Sequence, residues 1–205
     1  MKNFCIVKTN VANLYKKPSF TSELVTQAIL KEKLIILEKS GNWYKIEQWD
    51  KYQSWIHEFY IDSLDSKSNI SWTELPIRKK TVDDLITFAK SFIGTPYLWG
   101  GKSSHGFDCS GFVQTVFKMC GINMPRDASQ QILRKNLFEI DFKNINIGDL
   151  LFFKEQKNIN HVAIYIGNNQ IIHSSGSVKI EKLDVNKQLY EKLFKAMSIE
   201  SLFNE

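Results

Sequence analysis

The chain has 205 residues, enough for one large domain or two small ones, and its 43% hydrophobic and 24% charged residues are ordinary for a soluble globular protein. The formal net charge is +5, but the basic residues are scattered and no nucleic-acid-binding motif accompanies them, so we expect no nucleic-acid partner. Three widely spaced cysteines predict no disulfide framework, and no cluster of metal ligands is apparent, so we expect neither a metal nor another cofactor.

The N-terminal residues 1–8 contain no apolar segment of signal-peptide length and no small-residue cleavage site. Further along, no apolar run approaches the roughly 20 residues of a membrane-spanning helix. These two features, together with the cysteine usage, predict a cytoplasmic protein without a membrane partner.

Residues 1–64 are predicted to form a small β-barrel. Short apolar runs are separated by turn-forming clusters at close spacing, a pattern typical of such barrels. The runs are residues 4–7, 24–30, 34–37, 43–46 and 55–56. Residues 65–80 are mostly polar and lack periodicity, so we predict a linker there and a second domain over residues 81–205.

The second domain begins with a predicted helix, capped by Thr81 with Asp84 three residues later and ended by Gly94. A short helix is predicted from Asp127 to about Leu137. Four strands follow, over residues 150–153, 161–166, 170–174 and 178–182. Helices followed by hairpin-connected strands indicate an α+β domain.

Cys109 lies at the start of a further predicted helix, with Asp108 as its N-cap and Gly121 just after its end. In the first helical turn, unpaired backbone N–H groups and the helix dipole favour an anion and can lower a thiol pKa. Cys109 is therefore a candidate nucleophile. The same pattern also fits an ordinary buried cysteine.

His161 and His173 lie on two strands that we predict to form a hairpin. With residues 167–169 as a three-residue loop, the two histidines share one face, about 7–8 Å apart between backbones. A two-residue loop would shift the register by one and place them on opposite faces. The three-residue loop therefore allows one ring to act as the base for Cys109 while the other fixes its tautomer. Either histidine alone would more often be a structural residue than a catalyst.

Six motifs then follow in one order over about residues 81–182. They are Pro96-Tyr97-Leu98-Trp99-Gly100-Gly101, residues 106–113 with Asp108-Cys109-Ser110-Gly111, Pro125-Arg126-Asp127, residues 148–153, residues 161–167 and residues 172–177. Together they resemble the NlpC-type (NlpC/p60) family of papain-like cysteine peptidases, which cleave peptidoglycan stem peptides. The resemblance implies a papain-like domain with Cys109 as nucleophile, His161 as base and His173 as the residue that orients it.

Residues 1–64 resemble the bacterial SH3-like domains that precede this catalytic domain. The likeness rests on Asn13-Leu14-Tyr15 with Pro18, residues 22–27, Trp43 and residues 52–56, although Ser54 stands where glycine is usual. In the related murein-recycling enzymes, an acidic residue and a tyrosine of this domain help recognise the free amino terminus of the substrate. The aspartate before the nucleophile assists them.

The resemblance therefore implies substrate-binding roles for Glu23, Tyr52 and Asp108, and we add Ser110, which follows Cys109 in the motif. Some alternatives remain open. Glu58 and Tyr60 also lie in suitable loops, Asp108 could serve only as a helix cap, and Glu23 could be a solvated surface acid. The oxyanion hole is expected to use the backbone N–H of Cys109 with Tyr97 as a second donor, unless Tyr97 is a packed core aromatic.

By this resemblance, we expect a peptidase for the γ-D-glutamyl–diamino acid bond of peptidoglycan-derived peptides with a free N-terminal L-alanine. The missing export signal favours murein peptide recycling in the cytoplasm. One alternative is an exported hydrolase of intact peptidoglycan, and another is a catalytically inert module that binds wall or protein. The sequence leaves open whether the diamino acid is diaminopimelate or lysine.

Overall fold

The computed structural model describes residues 3–64 and 80–204. The first range consists mainly of strands, and the second combines helices with another sheet, so the predicted α+β class is confirmed. The predicted linker, residues 65–80, lies outside the described residues except for Lys80. None of the helices within the described ranges is long and apolar enough to cross a membrane.

The N-terminal part is one antiparallel sheet of seven strands in the order β3-β2-β6-β5-β4-β1-β7. The strands are β1 Asn3–Val7, β2 Val11–Tyr15, β3 Leu24–Ile29, β4 Lys33–Ser40, β5 Trp43–Glu47, β6 Gln53–His57 and β7 Ile61–Leu64. Alternate positions of these strands supply one apolar core. The apolar runs predicted five strands. They missed β2, which Asn13 interrupts, and β7, which Asp62 and Ser63 interrupt.

The C-terminal part is built on a six-stranded sheet in the order β10-β15-β11-β12-β13-β14. Its helices are α1 Val82–Ser91, α2 Cys109–Met119, α3 Ala128–Gln131, α4 Lys187–Glu191 and α5 Glu200–Phe203. Its strands are β8 Lys102–Ser103, β9 Gly106–Phe107, β10 Phe138–Ile140, β11 Leu150–Glu155, β12 Asn158–Gly167, β13 Gln170–Ser175, β14 Ser177–Lys182 and β15 Leu193–Ser198. The small pair β8–β9 forms its own sheet. Helix α2 buries its apolar face against β12 and β13, which fixes its first turn beside the sheet.

Local capping chemistry fixes where α1 and α2 begin. The Thr81 side chain accepts a hydrogen bond from the Asp84 N–H, and the Asp84 carboxylate accepts one from the Thr81 N–H. This capping box was predicted from the sequence and is confirmed. The Asp108 carboxylate likewise accepts from the Gly111 N–H at 2.6 Å, so Asp108 caps α2 as predicted. Cys109 is therefore the first residue of α2.

The helix predicted from Asp127 to about Leu137 is much shorter than expected, since α3 covers only Ala128–Gln131. Asn136 has a left-handed φ of +69°, which is incompatible with a helix that continues to Leu137. The chain then enters β10, which pairs with β15 along the sheet edge. Strands β10 and β15 were not predicted, because their pairing depends on contacts distant in sequence.

The β12–β13 hairpin combines the two alternatives raised by the sequence. Ile164 pairs with Ile172, the register expected for a three-residue loop. Yet only Asn168 and Asn169 form the turn, with φ values of +50° and +58°. The register shifts between Tyr165 and Gly167, so Ile166 is the extra residue of a β-bulge. The bulge and the two-residue turn together give the same register as a three-residue loop. The prediction that a two-residue loop would separate the histidines was therefore wrong, because the bulge keeps them on one face.

The two domains meet through buried polar contacts made by β3. The Gln27 side-chain oxygen accepts hydrogen bonds from the Lys102 N–H at 3.1 Å and from the Ser103 hydroxyl at 3.0 Å. Its amide group donates to Asn13 at 3.0 Å. Gln27 is 3% exposed, so no water can readily replace these partners. This residue fixes the barrel against the loop that precedes α2.

We expect Gln27→Leu to lower the free energy of unfolding by about 1–3 kcal/mol, because it leaves the buried Lys102 N–H without an acceptor. Denaturant unfolding followed by tryptophan fluorescence measures this change. The matched control is Gln53→Leu, since Gln53 is exposed and makes only a 3.4 Å contact to Glu47. We expect it to change stability by less than about 0.5 kcal/mol. Equal losses in the two variants would contradict the role of Gln27.

Candidate active site

Cys109 lies at the edge of a cleft of about 560 Å³ between the two domains. The thiol residue is 8% exposed. Of the residues predicted for the site, six line this cleft: Glu23, Tyr52, Tyr97, Asp108, Cys109 and Ser110. Another cavity at the junction, of about 600 Å³, is lined by apolar groups with Lys102 and Lys118 and contains none of the predicted site residues.

The alternatives Glu58 and Tyr60 fall outside the set of described residues that line the cleft. They belong to the 3-10 helix before β7. The barrel residues that reach the cleft come instead from β3 and its preceding loop and from the start of β6. Among the alternatives left open by the sequence, Glu23 and Tyr52 are therefore the pair that shares a cavity with Cys109.

His161 and His173 form a hydrogen-bonded pair on neighbouring strands. His161 Nε2 lies 2.8 Å from His173 Nδ1. His173 is 1% exposed, and its Nε2 lies 2.9 Å from a carboxylate oxygen of Glu181. The structure thus brings the two predicted histidines together and adds Glu181 as a third member of the chain.

Glu181 was not predicted as a site residue, although the strand pairing contains a signal for it. His173 pairs with Lys179 across the β13–β14 ladder. Glu181 is two residues beyond Lys179, so it lies on the same face and diagonally opposite His173. Reading the register of this second hairpin would have placed a carboxylate beside the histidine.

Both imidazoles are neutral near pH 7. Burial lowers the pKa of His161 to about 3, and the neighbouring His173 lowers it further, whereas Glu181 acts in the opposite direction. Burial also lowers the pKa of His173, against the raising effect of the Glu181 carboxylate. Because neither ring carries a charge, one nitrogen of each donates a hydrogen bond and the other accepts.

The pKa of the Cys109 thiol is raised above its ordinary value. Burial, followed by the Asp108 charge, raises its pKa to about 11, while N–H groups of Val162 and Ser110 and the charge of Arg126 lower it. The expectation that the helix start would lower the thiol pKa was therefore wrong, because desolvation outweighs the helix terminus. The Sγ–H points to the Asn160 carbonyl at 3.9 Å, next to His161.

Asp108 is held by a buried ion pair with Arg126. Arg126 Nη1 donates to Oδ1 at 3.0 Å, and Nη2 donates to Oδ2 at 2.5 Å. The Gly100 N–H donates to Oδ2 at 2.9 Å. Arg126 also donates to Ser110 Oγ at 3.0 Å and, through Nε, to Thr26 of β3 at 3.0 Å. Asp108 is thus a helix cap and an anchor, and its predicted contact with substrate remains a prediction.

Carboxylates from both domains line the cleft, Glu23 from the barrel and Asp127 from the second domain. Glu23 accepts hydrogen bonds from Trp99 Nε1 at 3.2 Å and from Lys16 Nζ at 3.0 Å. The Tyr52 hydroxyl hydrogen-bonds the carboxylate of Asp127, and burial followed by the Asp127 charge raises the pKa of Tyr52 to about 12. Asp127 also lines the cleft. From the sequence, Asp127 was predicted only as the start of a short helix, although it directly follows Arg126 in its motif.

Tyr97 is 37% exposed and lines the cleft, so it is not the packed core aromatic that the sequence left as an alternative. Burial, followed by the Cys109 charge, raises the pKa of its hydroxyl to about 12, so the hydroxyl keeps its proton and can donate it. Its place in an oxyanion hole stays a prediction. Within residues 3–64 and 80–204, no group of three or more His, Cys, Asp or Glu residues could hold a metal ion.

The NlpC/P60 family model matches residues 94–198, slightly more than half of the chain, and a bacterial SH3 domain model matches residues 10–62. The Gamma-D-glutamyl-L-lysine dipeptidyl-peptidase of Bacillus subtilis is 41% identical over 119 residues, which cover 56% of this chain and 40% of that protein. A protein of the same name from Bacillus cereus is 33% identical over 174 residues, which cover 83% of this chain and 49% of that protein. The chain thus spans less than half the length of either relative.

Among solved structures, an NlpC/P60 family protein from Bacillus cereus matches 95% of this chain with a TM-score of 0.55 and 30% identity. The match covers 62% of that protein. The two ranges matched by the family models, residues 10–62 and 94–198, fall inside the domains predicted at residues 1–64 and 81–205. The chain belongs to the NlpC/P60 family, with a bacterial SH3-like domain in front of its NlpC/P60 domain.

Proposed function

We propose that this protein is a cysteine peptidase that hydrolyses the γ-D-glutamyl–diamino acid bond of peptidoglycan-derived peptides with a free N-terminal L-alanine. The observation that carries the proposal is that one cleft contains Cys109 together with carboxylates from both domains, Glu23 and Asp127. The names of the two Bacillus relatives support the same bond specificity.

Catalysis begins when Cys109 Sγ attacks the γ-carbonyl carbon of D-glutamate while its proton passes to His161. The oxyanion receives hydrogen bonds from the Cys109 N–H and the Tyr97 hydroxyl. Collapse of the tetrahedral intermediate breaks the C–N bond, and His161 gives its proton to the departing amine. A thioester remains. Water then attacks it, with His161 taking a water proton and returning it to the Cys109 sulfur.

The substrate ammonium group is proposed to bind between Glu23 of the barrel and Asp127 of the second domain. Arg126 neutralises Asp108, and the exposed Lys16 pairs with Glu23, so the ammonium binds Glu23 by displacing Lys16 while Asp127 supplies a second carboxylate. Charge-assisted hydrogen bonds to carboxylates favour an ammonium over a neutral amide. Tyr52 holds Asp127 in place through its hydroxyl. The barrel therefore acts as a specificity wall, which explains why it is joined so tightly to the peptidase domain.

A need for a free amine suits fragments already released from glycan, and we propose a role in recycling such peptides in the cytoplasm. An exported hydrolase would instead accept stems whose alanine is linked to muramic acid, and an inert module would cleave neither. Defined peptides and intact peptidoglycan separate these three hypotheses.

We expect Cys109→Ala and His161→Ala to reduce kcat by at least about 10³-fold, because they remove the attacking pair. His173→Ala should cause a smaller loss, since it removes only orientation. Mass spectrometry of products from L-Ala-γ-D-Glu-L-Lys measures these rates, and the diaminopimelate peptide is assayed in parallel. The control is Cys120→Ala, a thiol at the opposite end of α2, which should leave the rate within about twofold. Full activity of Cys109→Ala would rule out the mechanism.

We expect acetylation of the substrate alanine to lower kcat/KM by about 100-fold or more, since it removes the charge that pairs with the carboxylates of the cleft. Glu23→Gln should cause most of this loss on free peptides and little on acetylated ones. Glu58→Gln, an acid of the same domain outside the lined cleft, is the matched control. Equal cleavage of acetylated peptide or intact peptidoglycan would favour the wall-hydrolase hypothesis, and no cleavage of any substrate would favour the inert module.

A further inference from the structure

The hydrogen-bond chain from His161 through His173 ends at Glu181, to which the mechanism above assigns no role. Glu181, on β14, lies 2.9 Å from His173 Nε2 and is 24% exposed at its side chain. Its second oxygen pairs with Lys179 Nζ at 2.8 Å. Asn186 Nδ2, just before α4, donates to it at 3.4 Å. Glu181 is thus held from two elements and directed at a buried histidine.

The carboxylate determines which nitrogen of each ring carries the proton. An ionised carboxylate can only accept hydrogen bonds, so His173 Nε2 must be the donor to Glu181. A neutral His173 then has a free lone pair on Nδ1, which accepts the proton of His161 Nε2 across the 2.8 Å contact. His161 is consequently left with an unprotonated Nδ1. That nitrogen is the one free to take a proton from Cys109.

The positive charge that His161 acquires during the reaction also indicates a role for Glu181. Once His161 has taken the thiol proton it is an imidazolium, and a neutral His173 beside it offers no opposite charge. Glu181 supplies that charge at the far side of His173. In agreement, Glu181 raises the pKa of His161, whereas the desolvation and His173 lower it. Lys179 lowers it as well, and thus partly offsets the carboxylate.

We propose that Glu181 is a positioning residue that fixes both histidines in the Nε2–H tautomer and stabilises the His161 imidazolium through His173. It acts through the histidines and touches no reacting atom. The kinetic consequence rests on the proposed function, but the tautomer assignment does not. The residue therefore extends the predicted Cys109–His161–His173 set by one member.

The first test reads the tautomers directly. In ¹⁵N-labelled protein at neutral pH, long-range ¹H–¹⁵N spectra should show protonated Nε2 and unprotonated Nδ1 for both His161 and His173. Glu181→Gln should convert this pattern into a mixture, because a glutamine amide can both accept and donate. The control Glu139→Gln, which breaks an exposed pair with Lys195 on the same sheet, should leave it unchanged. An Nδ1–H tautomer in the unsubstituted protein, or an unchanged pattern in Glu181→Gln, would overturn the proposal.

The second test measures the charge effect without any peptide. Iodoacetamide alkylation of Cys109, followed by peptide mapping, should slow about tenfold in Glu181→Gln, the factor expected when a charge-assisted contact becomes a neutral one. Lys179→Met removes the competing cation but keeps the carboxylate, so it should preserve the tautomers and alkylate at least as fast. Equal alkylation in Glu181→Gln and unsubstituted protein would contradict the charge role.

On a cleaved peptide, kcat of Glu181→Gln should fall about tenfold with KM unchanged, because the substrate-binding side is untouched. A merely structural role would instead lower stability and raise KM with the tautomers intact. If no peptide is cleaved by any form, the proposed function fails while the spectra and the alkylation rates still decide the role of Glu181.

Discussion

The buried ion pair between Asp108 and Arg126 is the constraint on which the rest of the site depends. Arg126 is 1% exposed, and a charge taken so far out of water is tolerated only with a partner and further hydrogen bonds. Asp108 is that partner, and Ser110 and Thr26 accept the further hydrogen bonds. At the same time Asp108 caps α2 and accepts the Gly100 N–H. Breaking such a pair typically costs about 3–5 kcal/mol, because the remaining charge stays buried. The position of Cys109 is therefore fixed by electrostatics as much as by packing.

The pair also links the two domains, since Arg126 Nε bonds Thr26 on the barrel. Together with Gln27, this makes the junction an array of buried hydrogen bonds. Such contacts require correct geometry, because each unsatisfied group would carry a desolvation penalty. Gly100 shows how close the approach is, since a Cβ there would lie 2.7 Å from the Leu24 carbonyl oxygen. A polar junction of this kind holds the barrel side of the cleft at a defined distance from Cys109.

Local patterns in the sequence were enough to predict the starts of α1 and α2, whereas the face shared by the histidines was predicted only for a three-residue loop and is kept in the structure by a bulge. The capping groups at Thr81 and Asp108 act within three residues, so they need no tertiary information. Glu181 escaped because its role depends on the register of a second hairpin. The thiol pKa was misjudged because desolvation depends on the final packing around Cys109, which no local pattern reports. Asp127 was assigned to its helix alone, since its contact with Tyr52 crosses the domain boundary.

The bulge before Gly167 has a consequence for the two histidines of the β12–β13 hairpin. The two-residue turn and the bulge compensate each other, so losing the bulge while the turn and the number of residues stay the same would turn every later side chain of β13 to the other face. His173 would then leave His161, although no catalytic residue had been replaced.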